Sequence, residues 1–201
     1  MVNVTNTVKL FPTMVHEFIY DADENLKSNI QNQDVKRVKK SHTCTSKNNN
    51  LHLQPEFKGF VDKVISTTKE IIDTYYKWSY DKLEITSMWI NVSQKGDAHL
   101  PHNHSNNIFS GVWYPFPNKI TPIYFYDPRI VTNFWSPRKI IGNGHNSNVA
   151  TFNNRQSLGL IFPSWLVHCV PPAEDTRVSI SWNMLVRGDY GEPNTLQNAS
   201  I

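Results

Sequence analysis

Two hydrophobic periods divide this chain. Residues 55–78, PEFKGFVDKVISTTKEIIDTYYKW, place Phe57, Phe60, Val61, Val64, Ile65, Ile71, Ile72 and Tyr75 at helical spacing. Pro55 suits the first turn of such a helix, because its missing N–H has no partner to lose there. The spacing predicts a helix over about 56–78. From residue 82 the period shortens. The segments 82–93 (KLEITSMWINVS), 107–116, 121–128, 148–153, 157–163, 166–170 and 177–187 are short and rich in β-branched and aromatic residues. The turn runs QKGD, FPN, GNGHN and PPAED separate them. That succession predicts an antiparallel sandwich or barrel, with the helix packed on one sheet. Residues 8–20 read as a strand bent at Pro12, 23–33 as a short polar helix, and 34–54 as a long irregular loop. The organisation expected is one mainly β domain over 1–187, with helices on its N-terminal side, and a polar tail over 188–201.

Composition adds limits. A chain of 201 residues is ample for one buried core. The net charge of +3 is concentrated in one run, Lys36 to Lys40 (KRVKK). No recognition motif accompanies that run, so it reads as a solvated surface and nucleic acid is disfavoured as a partner. Two distant cysteines, Cys44 and Cys169, sketch no disulfide framework and suit a reducing compartment. The N-terminus lacks the apolar core of a signal peptide, and no stretch approaches the roughly 18–20 apolar residues of a membrane span. A cytoplasmic location and no membrane partner are expected; self-association is left open.

The candidate chemistry begins at DAHLPHNHSNNIFSGVWYPF, residues 97–116. In an extended HNH, His102 and His104 point to one side. Neutral imidazole is the commonest metal ligand. His168, inside the apolar run FPSWLVHCV, supplies a third imidazole that a sandwich can bring across from the pair. The bland alternative is that each histidine is simply hydrogen-bonded, since short motifs match by chance. Arg177 and Ser179 share one side of the next strand, RVSISWN, and a guanidinium inside an apolar strand needs an anion. Together they sketch a metal ligand set beside a carboxylate clamp. Asn91 and Tyr114 occupy strand positions from which they can reach the same anion. Trp89 reads as core, as does Cys169; His99 reads as a neighbour of the site or as surface. Asp97 reaches a metal only if its loop folds back.

These segments resemble the 2-oxoglutarate/Fe(II)-dependent oxygenases of the double-stranded β-helix (jelly-roll) fold. The likeness is greatest to a branch of small bacterial and phage proteins with an HxH and an SGxxY segment. It runs through LFPTMV, WINVSQKGDAHLPHNHSNNIFSGVWY, IYFYDPR and FPSWLVHCVPP…RVSISWN, from residue 8 to about 187. It implies that His102 and His168 are iron ligands and that Arg177 and Ser179 bind the distal carboxylate of 2-oxoglutarate. It also implies Fe(II), 2-oxoglutarate and O2 as cofactor and co-substrates, and hydroxylation of a small molecule or protein side chain with release of succinate and carbon dioxide. The departure is position 104, where most of the superfamily carries a carboxylate and this chain carries histidine. Two alternatives stand beside it. One is a three-histidine, cupin-like metal enzyme that uses no 2-oxoglutarate and in which Arg177 binds a substrate carboxylate. The other is a non-catalytic jelly-roll binding module. Loops 34–54 and 129–147 are the expected specificity elements.

Overall fold

The computed structural model describes residues 5–38, 43–129 and 137–201. Lys39, Lys40, His42 and positions 130–136 of the second long loop therefore lie outside the described residues. Asp23 caps α1 (Glu24–Gln31), its Oδ1 accepting the Leu26 N–H at 2.7 Å, and the helix buries Leu26 and Ile30. Pro55 begins a 3-10 turn (Pro55–Phe57) that feeds α2 (Lys58–Ile71). A π-helical turn (Ile72–Tyr76) continues α2 and ends at Lys77, whose φ of 56° stops the helix. Phe60, Val64, Thr68 and Ile71 form the buried stripe of α2.

Among the described residues, eleven strands build two antiparallel sheets. They are β1 (His16–Ile19), β2 (Val35–Val38), β3 (Thr43–Ser46), β4 (Lys82–Ser93), β5 (His99–His102), β6 (Phe109–Trp113), β7 (Ile123–Tyr126), β8 (Val149–Phe152), β9 (Leu158–Pro163), β10 (His168–Val170) and β11 (Arg177–Arg187). The larger sheet has the order β1-β9-β6-β11-β4-β3-β2, and the smaller β5-β10-β7-β8. This is the double-stranded β-helix that the family resemblance implied, where the strand pattern alone predicted an antiparallel sandwich or barrel.

Strand alternation gives the larger sheet two different faces. Met88, Ile90, Ile180, Trp182 and Met184 pack in one core with Phe60 and Val64 of α2. Phe60 stacks on Trp113, centroids 4.4 Å apart, and meets Trp182 edge-on at 5.5 Å. The opposite parity of the same strands, Trp89, Asn91, Arg177, Ser179 and Ser181, faces a cavity between the sheets. A second core fills the space beside it, where Val112, Leu160 and Phe162 meet Ile123, Phe125 and Val170.

Three expectations change. Residues 34–54 are not an irregular loop: β2 and β3 form an antiparallel pair, and β3 joins β4 through Cys44↔Val92 and Thr45↔Asn91. β2 is an edge strand with three of its four residues exposed, so no apolar alternation marked it. Of 8–20 only the last four positions before Tyr20 pair as a strand, while Val8, Leu10 and Phe11 are exposed. The polar segment after Arg187 carries a small ladder, β12 (Asp189–Tyr190) with β13 (Ala199–Ser200). Among the described residues no helix is long and apolar enough to cross a membrane.

Gly111 of the SGVWY segment lies opposite Trp182 in the β6–β11 register. A Cβ there would stand 2.1 Å from the Trp182 ring and 2.8 Å from the Leu160 carbonyl oxygen. Gly111→Ala is therefore expected to destabilise the fold by about 1–3 kcal/mol through overpacking. Chemical denaturation checks this; an unchanged midpoint would mean that the indole does not pin this strand.

Candidate metal centre

β5 and β10 are neighbours in the smaller sheet, and their register sets His102 directly opposite His168. The ring centroids lie 4.4 Å apart. His104 arrives differently from the extended HNH that its spacing suggested. It sits two residues beyond the end of β5, and its N–H donates to the Ser164 carbonyl at 2.9 Å. Ser164 is fully buried, and its hydroxyl shares a 2.7 Å hydrogen bond with Ser110. The turn between β9 and β10 thus fixes the third imidazole, with centroids 5.2 Å from both His102 and His168. One nitrogen from each of the three rings falls within 4.8 Å of the others.

Backbone carbonyls set two of the tautomers. His102 Nδ1 lies 2.7 Å from the Leu100 oxygen, and His168 Nδ1 lies 2.9 Å from the Leu166 oxygen. A carbonyl only accepts, so each Nδ1 carries the proton and each Nε2 keeps its lone pair for a metal. Burial pushes His168 down to about 3 and His104 down to about 4, with neighbouring imidazoles adding to the effect. Both rings are neutral at pH 7, the state that metal ligation requires.

The cavity beside them has a volume of about 170 Å³. Arg177 lies on its wall with 2% exposure. Its Nη2 donates to the Tyr114 hydroxyl at 3.1 Å, its Nη1 reaches Ser179 Oγ at 3.5 Å, and it packs 5.0 Å from the centre of the Tyr114 ring. Its Nε has no partner, and among the described residues no carboxylate pairs with it. A buried guanidinium without a counter-charge is costly. A group with carboxylate oxygens would satisfy it, and with three lone-pair nitrogens alongside, the donor set fits a divalent metal and an anionic ligand together.

The other predicted residues fall as follows. Asn91 faces the cavity, but its side chain is engaged, accepting from Trp89 Nε1 at 3.1 Å and donating to Ser181 Oγ at 3.0 Å. Trp89 is half-buried on the cavity wall, 6.0 Å from the His104 ring, rather than in the core. Odd parity on β4 places it there; its size suggested otherwise. The loop carrying Asp97 does turn back at Gly96, whose φ is 88°. Its carboxylate is committed elsewhere, to Arg37 at 2.7 and 3.3 Å and to the Gln94 N–H at 2.8 Å. Cys169 is buried, with Tyr126 Oη at 3.3 Å from its sulfur. A more open cavity of about 500 Å³ is lined by Asp127, Arg129 and residues 137–141 and 145–148, and includes none of His102, His104 and His168.

Residues 87–183 match the family model of putative 2OG-Fe(II) oxygenases, a stretch holding all three imidazoles, Tyr114, Arg177 and Ser179. No curated protein matches the sequence. Among solved structures, a Pseudomonas putida prolyl-4-hydroxylase superposes with a TM-score of 0.60 at 9% identity, over 88% of this chain and 94% of that one. The epimerase SnoN from nogalamycin biosynthesis, in complex with Fe3+, alpha ketoglutarate and nogalamycin RO, gives 0.62 at 8% identity, over 94% and 91%. HygX from Streptomyces hygroscopicus, with nickel, 2-oxoglutarate and hygromycin B, gives 0.59 at 9%, over 87% and 83%. At these identities the structural likeness establishes the shared fold.

The neutral imidazoles make the metal-free protein acid-sensitive. His99, like His104, is held at about 4, chiefly by burial, and His168 at about 3. The unfolded chain protonates its histidines near 6.5, so between about 4 and 6.5 it binds more protons than the folded one. Stability is then complete above about pH 6.5 and falls as pH drops, by up to about 1.4 kcal/mol per pH unit for each proton. Urea unfolding in the presence of chelator is expected to show this fall, and a shallower one in His168→Gln. Equal slopes in the two proteins would mean that His168 is not held neutral.

Proposed function

We propose that this chain, which by its fold and its central segment is one of the 2-oxoglutarate/Fe(II)-dependent oxygenases, is a dioxygenase that hydroxylates its substrate with release of succinate and carbon dioxide. In this reading His102, His104 and His168 hold Fe(II) through Nε2 where Nδ1 is already bound to backbone. Arg177, with Ser179 and Tyr114, receives the distal carboxylate of 2-oxoglutarate. Bound there, the iron supplies oxidising power from O2 and the co-substrate.

The observation that carries this reading is the pairing of three metal-competent imidazoles with an unsatisfied buried guanidinium in one cavity. Charge supports it as well. With neutral imidazoles as ligands, a divalent ion and Arg177 leave the site strongly positive. A dianionic co-substrate offsets most of that charge, which the usual carboxylate ligand would otherwise share. The protein's part is positional: the β11 ladder aims Arg177, the β5–β10 pairing aims two imidazoles, and Phe162, Ile123 and Val170 exclude water from the cavity wall. A three-histidine enzyme without 2-oxoglutarate would share the metal, but leaves the family match over 87–183 unused. The substrate class is a small molecule or a protein side chain: the structural relatives include prolyl hydroxylases and enzymes captured with antibiotics.

The test is succinate formation from 2-oxoglutarate by Fe(II)-loaded protein under air. No succinate with or without candidate substrates would overturn the reading. Arg177→Leu is expected to raise the 2-oxoglutarate requirement by two orders of magnitude or more while metal binding is kept. Removing one member of a buried charged pair costs about 3–5 kcal/mol, because its partner is left unpaired. Equal 2-oxoglutarate affinity in Arg177→Leu and the parent protein would contradict the clamp.

A further inference from the structure

His99 has no role in the site as described so far. By strand parity it belongs on the side of β5 opposite His102, three residues away. The register says otherwise. His102 pairs with His168 and His99 with Val170, so three steps on β5 match two on β10. That bulge inserts one residue and turns His99 to the same side as His102. The two rings lie 6.2 Å apart at a mutual tilt of 33°, and His99 lines the same cavity as Arg177 and Ser179.

His99 Nε2 is buried there without a hydrogen-bond partner. So is Arg177 Nε, and the two do not satisfy each other. His99 also stands outside the group of three whose nitrogens converge for a metal. Two orphaned polar groups facing one cavity from its two sheets, one a fixed cation and the other a neutral ring able to donate, call for a ligand with two adjacent acceptors. A carboxylate has that form.

We propose that His99 donates from Nε2 to the carboxylate held by Arg177, making the co-substrate clamp a guanidinium–imidazole pair. The inference rests on the dioxygenase reading above and adds to it a binding residue outside the HxH…H…RxS pattern. The ring stays neutral because burial, and after it the charge of Arg177, disfavours its protonation. It therefore donates without adding a second cation. Val170 and the bulge hold it in place, and the Arg37–Asp97 ion pair anchors the loop that leads into β5.

The experiment is calorimetric titration of 2-oxoglutarate into Co(II)-loaded protein, with Co(II) binding measured separately. His99→Leu is expected to weaken 2-oxoglutarate binding by about tenfold or more with Co(II) affinity unchanged. His99→Gln, which keeps a donor, is expected to recover most of the loss. Parent-like 2-oxoglutarate affinity in His99→Leu would overturn the proposal. So would a parallel loss of Co(II), which would make His99 a ligand or a structural prop. Arg177→Leu is titrated alongside. If it weakens binding and His99→Leu does not, only the role of His99 falls; if neither does, the dioxygenase reading falls and takes this inference with it.

Discussion

A positive charge buried without a counter-charge governs this molecule. Arg177 begins β11, the strand that pairs with β4 over its whole length and with β6 along its middle. No described carboxylate answers it; Tyr114 and Ser179 bind it only through hydroxyl oxygens. Desolvating a guanidinium is costly unless something repays it, and the fold repays part of it with aromatic packing and leaves the rest to a ligand. The cavity, the polar lining from Asn91 to Ser181 and the neutral histidines are arranged around that debt. With His99, His104 and His168 held uncharged by burial, Arg177 is the fixed cation of the cavity wall until a metal binds.

The rigid setting comes from the opposite face of the same sheet. Trp182 and Trp113, clamped by Phe60 of α2, fix the strands whose alternate residues line the cavity. A change in helix packing would therefore reach the site through strand position rather than by contact. His104 is the least regular element: it is held through its backbone to the Ser164 turn, and Ser164 in turn meets Ser110, which binds Asn183. A polar network inside the barrel takes the place of a strand.

What the sequence made legible follows from parity. The bounds of β4 and β11 coincide with the segments 82–93 and 177–187 because long strands with one apolar side alternate cleanly. The same alternation made the shared orientation of Arg177 and Ser179 readable. His168 was legible because a histidine inside an apolar run needs a reason, and His102 because the HNH spacing sets two imidazoles close together. Parity failed where the ladder is broken. The bulge between β5 and β10 hides His99, and no local residue type announces it. The β2–β3 pair was missed because an exposed edge strand carries no apolar signal. Trp89 was misplaced because its bulk outweighed its position in the alternation.

The central claim is that three imidazoles, and no carboxylate, hold the metal. X-ray absorption at the iron edge of the anaerobic Fe(II) protein tests it most directly, since imidazole rings give outer-shell scattering that carboxylates lack. Three imidazoles are predicted, reduced to two in His104→Ala. A best fit with one or two imidazoles and a protein carboxylate, unaffected by His104→Ala, would contradict the account.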